Sequence, residues 1–169
     1  MLDASYTRRS ESIVPSTTLR VEAGERVTQR CASALGAEAL AMMGAALLRP
    51  TSGSVLIGEY DPRVQPVHCK RIAAFVPHDP LPLASIDTRR FIDYRAALWE
   101  IDPAQARARA KRLLERLTGI HEAFAYPIVA ALLPHPQLLI LDRPQPATAE
   151  RVNAVAGDTA VLCVYGEPQ

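Results

Sequence analysis

The sequence predicts an α/β fold, a mainly parallel sheet flanked by helices, in a single domain spanning 1–169. Three observations predict it. Short, nearly continuous apolar runs at 71–76 (RIAAFV), 137–142 (QLLILD) and 159–164 (TAVLCV) have the composition of strands buried on both faces, as parallel strands are. Helical patterns alternate with such runs, an order that lays helices on a sheet. A chain of 169 residues, 49% of them apolar, supports one well-packed core and is too short for two ordinary domains.

In chain order, TLRVEAGE reads as a strand entering a turn at Gly24, with a second short strand after it. From 36 to 49 the pattern is helical: Leu40, Met43, Leu47 and the alanines form one apolar side, and Pro50 ends it. TSGSVLIG reads as a turn and a strand. Residues 87–100 (DTRRFIDYRAALWE) read as a helix with Phe91, Tyr94 and Leu98 inward. The clearest helix opens at Asp102 as N-cap, with Pro103 behind it, and closes at Gly119. Ala106, Ala110, Leu113, Leu114 and Leu117 share one stripe of it. Arg107, Arg109, Lys111, Arg112 and Arg116 lie largely outside that stripe and read as a solvated face. Pro144, Pro146 and PATAE read as a loop after the 137–142 strand.

Composition narrows the functional classes. A net charge of +1 gives no electrostatic basis for binding nucleic acid. All but Lys70 and Lys111 of the 19 basic residues are arginine, which together with the abundant alanine reflects coding bias. Cys31, Cys69 and Cys163 are odd in number and far apart, as expected in a reducing compartment. His68, Cys69, His78 and Asp79 lack the pairwise spacing of a metal site, so no metal is expected. No apolar run approaches the ~20 residues of a membrane helix, and MLDASYTRRSES has no apolar signal core. These features predict a cytoplasmic protein without direct membrane insertion, peripheral to the inner membrane only through a partner.

Several phrases, in this order, resemble the ATPase domain of ABC transporters, especially the branch that serves ABC-2 type exporters. VEAGERV is similar to that family's approach to its phosphate-binding loop, and ALLRPTSGSVLIGEYDPR to the segment after the loop helix. The stretch from RIAAFVPHDP to AKRLLERL is similar to the Gln-loop region and the start of the helical subdomain. ALLPHPQLLILDRP resembles the Walker B strand with its preceding helix. The resemblance covers nearly the whole chain. It implies a P-loop NTPase-like fold with a helical subdomain reduced to about 80–135, since the stretch 118–137 leaves no room for a signature motif and none is present.

The same resemblance implies where a nucleotide site should be, and its residues are absent. In the pattern G-x-x-G-x-G-K-S/T the three glycines fall on Cys31, Ala34 and Gly36, the Lys on Ala37, and the hydroxyl residues on Glu38 and Ala39. Such a loop wraps phosphates in backbone N–H groups, neutralises them with the Lys and holds magnesium with the hydroxyl. Here the cation and the metal ligand are gone. A carboxylate, Glu38, has been gained, and it reads as helix-end stabilisation of about 0.3–1 kcal/mol. The Gln of the Gln loop falls on His78, the catalytic Glu on Arg143 beside a retained Asp142, and the switch His on Gly166. Val27-Thr28-Gln29-Arg30-Cys31 is also unusually polar for a strand entering such a loop. Either that strand is exposed on one face or Arg30 is paired, and the expectation is an ion pair of Arg30 with Asp142 or Glu38 filling the emptied site.

These losses predict a catalytically inactive pseudo-ATPase without cofactor, a structural or regulatory subunit of a membrane transport or secretion complex. The implied partners are a membrane transporter or secretion subunit, or an intact ABC ATPase subunit. Leu81, Leu83, Phe91, Tyr94 and Trp99 mark a candidate docking surface. The alternative is a non-hydrolysing sensor that binds a nucleotide or small anion in a cleft lined by Arg30, His78, Asp142 and Arg143.

Overall fold

The computed structural model describes residues 1–79 and 87–167. Its elements are β1 (Leu2–Arg8), β2 (Glu11–Leu19), β3 (Arg26–Cys31), α1 (Ala34–Gly44), β4 (Ser52–Val55), α2 (Pro66–Ile72) and β5 (Ala73–Val76), followed by α3 (Thr88–Leu98), α4 (Pro103–Arg116), α5 (Glu122–Leu132), β6 (Leu138–Asp142), α6 (Pro146–Val155) and β7 (Ala160–Gly166). They make two sheets. An antiparallel sheet has the order β2-β1-β4, and a parallel sheet the order β3-β7-β6-β5.

The three apolar runs are neighbours in the parallel sheet, with Ala73 opposite Leu138 and Leu138 opposite Ala160. Successive strand side chains point to opposite faces, so each run feeds two cores. Leu139, Leu141, Val161 and Cys163 join Ile92, Leu113, Ile128 and Val152 of the helices on one side. Ile140, Leu162 and Val164 meet Leu40 and Met43 of α1 and the antiparallel sheet on the other. Each such Leu or Ile contributes about 1.5–3 kcal/mol by burial, and a polar residue anywhere in these runs would lose that on one face.

The N-terminal hairpin is absent from the sequence reading. Its signal is the alternation of buried Leu2 and Ala4 with exposed Asp3. Its turn is Arg9-Ser10, both with positive φ (50° and 68°), where Asn-Gly would have been the recognisable choice. Helix α1 runs from 34 to 44 and not from 36 to 49: Ser33 caps it, and Ala46 at φ 58° lies in the left-handed region beyond its end. Leu47 is therefore exposed, not inward. Residues 71 and 72 belong to α2, which shortens the expected strand. The expected loop at PATAE is helical, because Pro146 occupies the first turn of α6, where its missing N–H costs nothing.

Helix α3 faces differently from expectation. Ile92 and Ala96 are buried, whereas Tyr94 is 62% and Leu98 53% exposed. Helix α4 is as read, with Asp102 accepting from the Gln105 N–H at 2.9 Å and Ala106, Ala110 and Leu113 buried. Its cations do more than face solvent. Arg107 grips Asp93 of α3 with two bonds of 2.7 and 2.8 Å, Arg109 donates to the Leu132 carbonyl at 3.0 Å, and Arg116 to that of Ala154.

Candidate functional site

The C-terminal ends of parallel strands, where helices begin, are where α/β sheets ordinarily place ligands. Here that rim is formed by the ends of β3, β5, β6 and β7. Only Ala32 and Ser33 separate β3 from α1. Ser33 is the N-cap: its hydroxyl oxygen accepts from the Gly36 N–H at 3.0 Å, and its carbonyl from the Ala37 N–H at 3.0 Å. One of the donors otherwise left unpartnered at this helix start, the Gly36 N–H, is thus satisfied by the cap, and the Ala37 bond is the first of the helix's own ladder. The end of β7 closes on the same spot. A Cβ at Gly166 would overlap the Ser33 carbonyl oxygen and lie 2.6 Å from the Ala34 Cα, so only glycine fits there. A Cβ at Gly36 would come within 2.9 Å of the Ile13 carbonyl oxygen.

At the end of β6, Asp142 is 3% exposed and needs a partner. Arg143 supplies it. Its Nε and Nη2 donate to the two carboxylate oxygens at 2.9 Å each, a bidentate pair between adjacent residues. That geometry requires Arg143 at φ 45°, a left-handed conformation costing about 1–2 kcal/mol for a side chain with a Cβ. Two bonds hold the backbone there: the Arg143 N–H donates to the Val164 carbonyl at 2.7 Å, and the Arg143 carbonyl accepts from the His78 Nδ1–H at 3.1 Å. The hydrogen bonds to Asp142, then the negative charges of Asp142, Glu38 and Asp79, hold the Arg143 guanidinium above its ordinary pKa. Burial, and secondarily the charge of Asp142, push the Cys31 thiol up, so it stays a protonated thiol at neutral pH. A cleft of about 240 Å³ remains, lined by His78, Asp79, Asp142, Arg143, Gln145 and Phe124 among others. It is smaller than the ~300–1,000 Å³ of ordinary ligand pockets.

No family model matches the chain, and neither does any curated protein. Solved structures do. One described as the ATP-binding subunit of an ABC transporter superposes with a TM-score of 0.77 at 21% identity, over 97% of this chain and 77% of that one. The fold is that of an ABC-transporter ATP-binding subunit. CbiO1 from Clostridium perfringens, part of the cbiONQ ABC transporter complex, superposes at 0.75 with 16% identity, covering 98% of this chain and 76% of its own. A putative ATP-binding protein of an ABC transporter from Pyrococcus furiosus gives 0.73 at 13%, covering 98% and 89%. At such identities the likeness concerns the fold, and the chemistry has to be argued from the residues.

Within the ABC ATP-binding fold, the residues that the sequence places at nucleotide positions converge on one rim but fill it themselves. Ala34, Gly36 and Ala37 are wound into α1, where Ala37 is wholly buried in the core. Gly166 abuts the start of α1. His78, Asp142 and Arg143 form one bonded group, with Cys31 and Glu38 close enough to feel its charges. Because α1 starts at Ala34, Glu38 lies in its second turn, too far in for the helix-end role expected of it.

The expected Arg30 ion pair is not formed. β3 is an edge strand, and its residues alternate between exposed and half-buried. Arg30 lies on the exposed face, its guanidinium carbon 6.0 Å from the centre of the Tyr165 ring, a cation–π distance. Of the two alternatives for this polar strand, the structure takes exposure on one face, and the arginine that neutralises Asp142 is Arg143. Ser33, central to the site, went unread; its signal is a serine immediately before an apolar helical pattern. The residues present do not fit a magnesium nucleotide. The buried carboxylate is committed to a guanidinium, the hydroxyl positions are Glu38 and Ala39, and the helix start is capped from within.

Proposed function

We propose that this chain is a non-hydrolysing member of the ABC ATPase-like proteins, of the branch serving ABC-2 type exporters, acting as a structural or regulatory subunit of a membrane transport or secretion complex. The observation that carries the reading is the bidentate Asp142–Arg143 pair. In P-loop ATPases this strand end supplies an acid to magnesium, and the resemblance puts the catalytic glutamate at the next position. Here the next position supplies a permanent cation that neutralises the acid and offers no base for water. Phosphoryl transfer depends on positioning and charge stabilisation, and this rim provides neither for a phosphate.

As a subunit without catalysis, the protein acts through its surfaces. We read α3, α4 and α5 as the reduced helical subdomain of a single domain, and its α3 side as the face toward a partner. Tyr94 and the neighbouring Leu98 are exposed there, Phe91 packs against the core, and Trp99 is half-buried. Leu81 and Leu83 lie outside the described residues. No helix among the described residues is long and apolar enough to cross a membrane. The proposed site of action, from the role of such subunits, is the cytoplasmic side, held there by a membrane subunit or by an intact ABC ATPase. The sensor alternative needs free cations in the cleft. Arg143 is committed to Asp142 and Arg30 faces outward over Tyr165, so neither supports it.

Thermal unfolding with and without millimolar ATP and magnesium tests the proposal. A ligand at 100 times its dissociation constant stabilises the native state by about 2.7 kcal/mol, which would raise the midpoint of a domain this size by about 5–10 °C. The expected result is no shift. A rise of that size would overturn the proposal and return nucleotide binding to the cleft.

A further inference from the structure

A second cavity lies at the other end of the parallel sheet, away from the rim described above. It encloses about 830 Å³, within the range of small-molecule sites. Its walls come from the last turn of α2, the connection from α3 to α4, one side of α4 and the turn after α5. Lys70, Arg71, Arg109 and Arg112 bring four permanent positive charges to it, and Glu100 is the one carboxylate among its lining residues.

Arg63, Arg107 and Arg143 each grip an aspartate. Among the described residues, none of the cavity's four makes an ion pair. Arg109 is half-buried, and although its Nη2 donates to the Leu132 carbonyl, its Nε is buried without an acceptor in the protein. Burial, and secondarily the positive charge of Arg112, hold its pKa below the ordinary value, as expected of a guanidinium lacking a counter-charge. The indole N–H of Trp99, which lines the same cavity, is also buried without an acceptor. An excess of three positive charges at one concavity calls for an occupant that is itself anionic. Val67 and Leu98, both largely exposed, add an apolar border.

We propose that this cavity binds a small polyanion whose phosphate or carboxylate groups engage Arg109, Arg112 and Lys70 and whose carbon skeleton lies against Val67 and Leu98. Guanidinium forks match both oxyanion types. Ligand binding here would fix the α3–α4 connection relative to α2, linking a small molecule to the helices that carry the proposed partner face.

Trp99 is the single tryptophan, so its emission reports on the cavity directly. The full chain is titrated with inorganic pyrophosphate and, separately, with citrate, at constant ionic strength set with sodium chloride. The expected result is a saturable change in Trp99 emission with at least one probe, and the better probe identifies the charged group preferred. In Arg112→Gln and Lys70→Gln, both exposed positions that preserve folding, the dissociation constant should rise about tenfold. Emission that changes only as it does with sodium chloride would overturn the proposal, as would an unchanged affinity in both variants.

Discussion

The two ends of the parallel sheet treat charge in opposite ways. At the C-terminal ends, Asp142, Arg143 and His78 satisfy one another, Ser33 caps α1, and the cleft is only about 240 Å³. At the N-terminal ends of β5 and β6, four cations line about 830 Å³ and none of them makes an ion pair among the described residues. An α/β sheet ordinarily concentrates ligand chemistry at the first of these. The contrast teaches that a buried charge at a strand end is tolerable once paired and hydrogen-bonded, whereas cations at an open cavity stand without an ion-pair partner.

The comparison breaks most sharply if the rim is reopened. Arg143→Ala leaves Asp142 buried without its partner, and removing one member of a buried pair costs about 3–5 kcal/mol. Chemical denaturation should show a loss near the lower figure, since the arginine side chain is partly exposed. Replacing both partners, Asp142→Asn with Arg143→Ala, should recover part of the loss because no uncompensated charge remains. A single variant as stable as the parent would mean that the pair does not close the rim.

The middle of the sheet was legible in the sequence, because strands buried on both faces must be almost wholly apolar, and 138–141 and 160–164 are apolar throughout. The helix at 103–116 was legible through its Asp-Pro start and its stripe. The hairpin was not, since Arg9 and Ser10 take positive φ without the residues that usually advertise it. Tyr94 and Leu98 misled for another reason: apolar residues at helical spacing mark a face, and only packing decides whether it is covered. At the site, residue identity showed an acid at Asp142 that would need a cation beside it. Which arginine would neutralise Asp142 was not legible, because that depends on strand order: an edge position turned Arg30 to solvent, and a left-handed backbone folded Arg143 onto its neighbour.

A smaller effect tests how the helix start is closed. Ser33→Ala removes the acceptor for the Gly36 N–H, and loss of a serine N-cap costs about 1 kcal/mol. Urea denaturation should show this loss without a change in the slope that reports exposed surface. If stability is unchanged, the Gly36 donor is not held by Ser33 and the helix start is more open than the contacts describe.

The smallest effect sharpens the other end. His135 lines the basic cavity, and burial, with Arg109 next, lowers its pKa from the ordinary value of 6.5. The unfolded chain therefore binds a proton more readily than the folded one. The stability contributed by a neutral His135 is fully present above the unfolded value and is lost as pH falls through 6.5 toward the lower folded value. His135→Gln should leave stability at pH 8 nearly unchanged and make it fall less than the parent's between pH 7 and 5, measured as the difference between the two proteins so that titrating carboxylates cancel. A steeper acid loss in the variant would reverse the sign, and would mean that protonated His135 is favoured by a negative group in the cavity instead of disfavoured by burial and by Arg109.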